Sequence, residues 1–178
     1  MWVSPKNKNE LKEVDGCWTD GENFFEEKSN EIIDLIFPKN LSIVDEKAKA
    51  FYEGRADDYE KYLHLTFQTY GEDETYIRNY MIDKLELTSS SKVLEIACGT
   101  GRDSVIIADR LGKDATAYFV DIAEDMLEAA VKKLASYGFK KHFALANAMK
   151  IPLADNSMDC LYSFGAVGEF SNPKGFFA

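Results

Sequence analysis

Long apolar runs, cysteine and histidine are all scarce in this sequence. No apolar run approaches the roughly 20 residues of a membrane-spanning helix, and the opening MWVSPKNKNE lacks the apolar core of a signal peptide. The three cysteines are odd in number and show neither disulfide nor metal-site spacing; they are Cys17, Cys98 and Cys160. We therefore expect free thiols in a cytoplasmic protein, with no membrane partner and no metal.

Positive charge is also in short supply. Lysine and arginine number 21 against 31 aspartates and glutamates, which gives a formal net charge of −10. No dense basic cluster stands out, so nucleic acid is not an expected partner. The 178 residues are 46% hydrophobic and 13% aromatic, which predicts a folded chain with its own core.

The first half of the chain has mostly helical patterns. Residues 1–20 are polar and are predicted to be irregular. Apolar residues at helical intervals predict a helix over residues 22–37, ended by Pro38. One or two helices interrupted near Gly54 follow over residues 45–67, and a further helix spans residues 76–85. Residues 1–88 are therefore predicted to form an N-terminal helical region that acts as a lid.

The second half alternates short apolar runs with amphipathic segments. Strands are predicted at residues 93–97, 115–121, 142–146 and 158–164, and helices at residues 103–111 and 124–137. This rhythm predicts an α/β fold, a Rossmann-like, doubly wound and mostly parallel sheet over residues 89–178. Such sheets normally have more strands. The later strands are missing after the fourth, so we expect either a partial domain or strands supplied from elsewhere.

The segment VLEIACGTGRDS, residues 93–104, places a glycine-rich turn directly after the first of these strands. Gly99 and Gly101 would let the backbone approach a ligand at the carboxyl end of the sheet. A structural turn explains the two glycines equally well. Asp121 ends the next strand and could accept hydrogen bonds from both ribose hydroxyls of an adenosine. Its alternative is to cap the following helix.

Glu95 discriminates between the two ligand classes that share this layout. A carboxylate beside a dinucleotide pyrophosphate would be repelled, whereas one near an ammonium and a sulfonium is favourable. The position where a dinucleotide turn has its third glycine is Ser104. S-adenosyl-L-methionine (SAM) is therefore the better fit. Alternatively, Glu95 only binds backbone N–H groups.

With these motifs in order, the sequence resembles the class I SAM-dependent methyltransferases, especially the small-molecule group, over residues 51–170. The first family motif is similar to VLEIACGTG and the second to YFVDIAEDMLEAA. The third and fourth are similar to successive parts of NAMKIPLADNSMDCLYS. FYEGRADDYEKYL resembles the family's helix over the cofactor, where Tyr52 and Tyr59 are candidates for the methionine end or simply core aromatics. The resemblance implies a cofactor site of Tyr59, Glu95, Ala97, Gly99, Gly101, Asp121, Ile122, Asn147, Ala148, Met149 and Ser163.

The resemblance also implies more specific roles within that site. Asp121 would hold the ribose and Ile122 would pack on the adenine. Asn147 stands where the family usually has aspartate and would accept a hydrogen bond from the adenine amino group. Ser163 would lie beside the transferred methyl. A general base cannot be named from His64 or His142, and Glu169 is a candidate for contacting the substrate.

The expected function is methyl transfer from SAM to a small-molecule acceptor. The alternative is a SAM-binding protein without catalysis, acting as a regulatory partner; a nicotinamide-dependent oxidoreductase is disfavoured by Glu95 and Ser104. A partner chain, identical or different, could cover the open edge of the sheet.

Overall fold

The structure, a computed structural model, describes residues 1–28 and 31–176. Its first half contains β1 (Lys12–Val14), β2 (Cys17–Thr19), β3 (Phe24–Phe25), β4 (Ile32–Asp34), α1 (Ile43–Tyr52), α2 (Ala56–Tyr62), α3 (His64–Thr69) and α4 (Glu74–Asp83). Its second half contains β5 (Lys92–Ile96), α5 (Arg102–Ala108), β6 (Thr116–Asp121), α6 (Glu124–Leu134), β7 (Lys140–Leu145), β8 (Cys160–Tyr162) and α7 (Pro173–Phe176).

Five strands form one sheet in the order β4-β7-β6-β5-β8. Every neighbouring pair is parallel, so the carboxyl ends of β5, β6, β7 and β8 lie at the same edge. The strands predicted in the second half are all present, within a few residues of their expected ends. The predicted α/β fold with a parallel sheet is therefore confirmed.

The sheet carries different layers on its two faces. One face packs against α4, α5 and α6 through buried side chains such as Ile82, Ile107 and Leu127. The opposite face packs against the N-terminal segment through Trp2 and Leu11. Consecutive strand residues serve opposite faces, as β-strand geometry requires, so both sides of the central strands are buried.

The N-terminal segment differs from the sequence-based expectation in two ways. Residues 1–20 are not irregular: β1, β2 and β3 form an antiparallel sheet, and Trp2 is only 2% exposed. The helix predicted over residues 22–37 is wrong, because β3 and β4 occupy this stretch; the part of that prediction at Ser29 and Asn30 lies outside the described residues. A short apolar run is compatible with a strand or a helix. Residues 32–34 form a strand because they pair with β7.

The other helices of the first half lie within a few residues of their predicted ranges, although residues 45–67 hold parts of three helices, α1, α2 and α3, and not one or two. Ser42 caps α1 by accepting from Asp45 N, and Asp73 caps α4 by accepting from Tyr76 N. The break at Gly54 separates α1 from α2. Since β4 joins the main sheet from the first half, the division into residues 1–88 and 89–178 stays a prediction. No helix within residues 1–28 and 31–176 combines the length and apolarity needed to cross a bilayer.

Candidate cofactor-binding site

A cavity of about 510 Å³ opens at the carboxyl edge of the sheet, beneath α1, α2 and α3. This volume falls within the range of small-molecule sites, about 300–1,000 Å³. The floor comes from the ends of β5, β6 and β7, and the helices form the roof. Seven of the residues predicted for a cofactor line it: Tyr59, Ala97, Gly99, Asp121, Ile122, Asn147 and Ala148.

The turn after β5 places its two glycines in different surroundings. Gly99 has a φ of 54° and faces the cavity, where a Cβ would lie 4.0 Å from a ring carbon of Tyr59. Gly101 has a φ of 82°, and a Cβ there would meet Ala130 Cα on α6 at 2.9 Å. Gly101 therefore allows α6 to approach the turn, while Gly99 leaves space at the cavity wall.

Asp121 ties the end of β6 to the glycine turn. Its Oδ2 accepts from Gly99 N at 2.8 Å and its Oδ1 accepts from Ala123 N at 3.0 Å. Burial raises the pKa of the Asp121 carboxyl, and these backbone N–H groups oppose that rise. Each carboxylate oxygen keeps a second lone pair. The carboxylate can therefore hold the glycine turn and the backbone just before α6, and still accept from a ligand hydroxyl.

Asn147, just after β7, meets a carboxylate from the roof. Its Nδ2 donates to Asp45 Oδ2 on α1 at 3.1 Å, and its Oδ1 accepts from Met149 N at 2.9 Å. Asp45 and Asn147 are both buried and both line the cavity. Asp45 was not among the residues predicted for the site. The Ser42-x-x-Asp45 pattern indicates the start of a helix but contains no information about the cavity.

Glu95 is buried at 2% exposure and is absent from the cavity lining. Its Oε2 accepts from Ser104 Oγ at 2.6 Å. Burial raises the pKa of Glu95 well above its ordinary value, and the nearby Asp103 raises it further. The carboxyl therefore joins β5 to the first turn of α5 behind the cavity wall, and its predicted role at the methionine end stays a prediction.

Three other predicted residues also lie outside the cavity lining. Gly101 packs against α6, and Met149 lines a neighbouring groove. The Ser163 hydroxyl is buried, and no group among the described residues hydrogen-bonds to it. No contact in the described part of the chain therefore assigns these three residues to a bound cofactor.

A charged network that was not predicted from the sequence joins helices around the cavity. Arg78 of α4 lines the cavity and donates to Asp103 Oδ2 at 2.6 Å and to Glu74 Oε1 at 2.9 Å. Glu60 of α2 accepts from Lys133 at 2.7 Å and also from Thr100. Arg78 thus joins α4 to α5, and Glu60 joins the roof helix α2 to the glycine turn and to α6.

One part of the cavity is lined mainly by aromatic side chains. Phe67, Tyr70, Phe164 and Phe170 line it, together with Leu63. Tyr52 OH donates to Glu169 Oε1 at 2.9 Å across the opening between α1 and the segment after β8. Both of these candidates therefore border the cavity. Neither histidine lines it, and His142 stacks on Tyr118 with ring centroids 4.6 Å apart.

Comparison with known proteins agrees with this geometry. Residues 93–177 match a family model described as a methyltransferase domain. The resemblance to class I SAM-dependent methyltransferases is confirmed for this part of the chain. A ubiquinone/menaquinone biosynthesis C-methyltransferase from Blochmanniella floridana is 32% identical over 91 residues, which cover 49% of this chain and 36% of that protein.

Solved methyltransferases share the fold of this domain. A SAM-dependent methyltransferase from Aquifex aeolicus is 25% identical with a TM-score of 0.50, over 56% of this chain and 53% of that one. A Methanococcus maripaludis protein described as a SAM-dependent methyltransferase is 20% identical with a TM-score of 0.54, over 78% and 58%. The chain spans about a third of the length of the curated relatives it matches.

Proposed function

We propose that this chain binds SAM in the cavity and transfers its methyl group to a small-molecule acceptor. The observation that carries the proposal is the position of Asp121, a buried carboxylate at the end of β6 that holds the glycine turn by Gly99 N. In a parallel α/β sheet this position recognises the ribose of an adenosine. Bound SAM supplies a methyl group already activated on a sulfonium.

The residues that line the cavity with Asp121 fit the parts of SAM. Ile122 and Ala148 offer apolar surface for an adenine. Ala97 and Gly99 border the part of the cavity that would take the methionine tail, with Tyr59 closing over it. The chain orients the cofactor through these contacts, and the roof helices exclude water from the reacting centre.

The aromatic side chains of the cavity lining support an apolar, planar acceptor. Phe67 and Phe164 lie with their rings nearly parallel, 6.4 Å between centroids, and aromatic walls favour flat apolar ligands. The Blochmanniella relative is named for carbon methylation in quinone biosynthesis. A reduced quinone precursor is therefore the acceptor class that we propose. Nothing in the comparisons favours the alternative of a SAM-binding protein without catalysis.

Calorimetric titration with S-adenosylhomocysteine, and with NADH for comparison, tests the cofactor. We expect S-adenosylhomocysteine to bind and NADH not to bind. Asp121→Ala should weaken binding by about 100-fold or more, because hydrogen bonds to a charged group contribute about 1.5–3 kcal/mol each. The matched control is Asp114→Ala, an exposed aspartate before β6, which should bind normally. Binding of NADH alone would contradict the proposal.

Release of S-adenosylhomocysteine from SAM with demethylmenaquinol as acceptor tests the transfer. We expect turnover that depends on this acceptor. Cofactor binding without turnover on this or other apolar acceptors would favour the non-catalytic alternative. We also propose that the protein is cytoplasmic and has no nucleic-acid partner. A second chain, identical or different, would cover the open edge of the sheet.

A further inference from the structure

We infer that Asp45 of α1, rather than Asn147, is the acceptor that recognises the amino group of a bound adenine. The inference rests on the proposed function, because it concerns the same cavity. Asp45 is 7% exposed and lines the cavity together with Ala48 and Tyr52. Ala48 and Tyr52 follow Asp45 by three and seven positions along α1, so all three share one face of the helix.

The orientation of the Asn147 amide is determined by its two neighbours. Met149 N is a donor and must face an acceptor, which places Oδ1 toward it at 2.9 Å. The Asp45 carboxylate accepts only, which places Nδ2 toward it at 3.1 Å. The amide therefore uses one lone pair of its oxygen to hold the turn after β7 and its nitrogen to hold Asp45, so the acceptor that it can still offer is neutral, whereas that of Asp45 is charged.

The Asp45 carboxylate has acceptor capacity to spare. Both side-chain hydrogen bonds to it, from Ser42 Oγ at 2.9 Å and from Asn147 Nδ2, go to Oδ2. Oδ1 takes no part in either bond. Asp45 thus brings a negatively charged acceptor next to Asn147, which stands where the family usually has aspartate. The roof helix α1, and not the sheet, supplies the charge.

This arrangement predicts selectivity for the amino group of adenine. An amino group donates to the carboxylate, whereas the carbonyl oxygen of hypoxanthine would face it as a second acceptor. A buried acceptor opposite the wrong group costs binding, because neither group is then paired. The unchanged chain should therefore bind S-adenosylhomocysteine about 10–100-fold more tightly than S-inosylhomocysteine.

The test compares the affinities of these two compounds by calorimetry in four chains. In Asp45→Asn the preference should fall to about threefold or less, since an amide can donate as well as accept. Glu46→Gln makes the same chemical change one residue along α1 at an exposed position and should keep the full preference. Circular dichroism and thermal unfolding check that the variants are folded.

Asn147→Ala provides an independent readout if Asp45→Asn does not fold. Ser42 still holds Asp45 in this variant, so the preference for S-adenosylhomocysteine should persist although both compounds bind more weakly. An unchanged preference in Asp45→Asn, or its loss in Asn147→Ala, would overturn the inference and leave the proposed function intact. Failure of the unchanged chain to bind S-adenosylhomocysteine would overturn both.

Discussion

Arg78 Nη1 of α4 lies 2.6 Å from Asp103 Oδ2 of α5, and both side chains are less than 10% exposed. The pair joins α4 to the helix that begins at the glycine turn. Burial raises the pKa of Asp103, and Arg78 opposes that rise. The second oxygen, Oδ1, is buried without a partner in the described part of the chain. The ion pair with Arg78 therefore offsets the cost of burying the Asp103 charge.

Arg78→Met should lower the free energy of unfolding by about 3–5 kcal/mol, because it leaves the buried Asp103 carboxylate without its paired cation. Urea unfolding followed by circular dichroism measures the loss. The matched control is Arg110→Met, which removes an exposed pair with Asp83 and should cost about 1 kcal/mol or less. Equal losses in the two variants would contradict a special role for the buried pair.

Gly101→Ala should destabilise the chain by about 2–4 kcal/mol. Part of the cost is the left-handed backbone, about 1–2 kcal/mol, and the rest is the contact with Ala130 on α6. Gly16→Ala isolates the first part, because Gly16 has a φ of 79° and open space where a Cβ would lie. Chemical unfolding of both variants should show the larger loss in Gly101→Ala; losses of the same size would mean that α6 moves away freely.

Glu95→Gln should raise the melting temperature, and the gain should grow with pH. Burial raises the pKa of Glu95 in the folded state, so the folded chain holds a proton that the unfolded chain has lost. The stability of the unchanged chain then falls as pH rises through the folded-state pKa. Glutamine cannot ionise and still accepts from Ser104.

Melting curves between pH 5 and pH 8 test this prediction. We expect a gain on the order of a few degrees at pH 8 and less at pH 5. Glu13→Gln, at an exposed position on β1, should give no comparable trend. A loss of stability at pH 8 would mean that the ionised carboxylate is needed in the fold.

Trp2→Ala should lower the free energy of unfolding by about 3–5 kcal/mol, the range for large aromatic truncations in a core. Trp2 packs edge-on against Tyr118 of β6, with ring centroids 4.9 Å apart. Trp18 is only half-buried, so Trp18→Ala should cost clearly less in the same urea experiment. A negligible effect of Trp2→Ala would show that the N-terminal segment does not stabilise the sheet.

Much of the sheet and part of the site could be predicted from local patterns. The strand that ends at Ile96, the turn with Gly99 and the acid Asp121 are short motifs, each readable within about ten residues. Because parallel strands end at one edge, their order along the chain is enough to bring these residues together.

Other features could not be predicted, because they depend on contacts between distant segments. Ile32 and Ile33 suit a helix or a strand, and the partner strand β7 lies more than 100 residues away. Asp45 and Asn147 are 102 residues apart, and their contact exists only when α1 covers the end of β7. The same holds for Arg78 and Asp103 across α4 and α5.

The sequence by itself determined the parallel α/β sheet and the edge of that sheet where the glycine turn and Asp121 meet. These follow from periodicity and from residues whose backbone or charge properties act locally. Only the tertiary structure decided that the N-terminal segment covers one face of the sheet, that Glu95 lies behind the cavity wall, and that a roof aspartate meets Asn147. Burial and pairing of polar groups depend on which surfaces meet, and local sequence does not encode that choice.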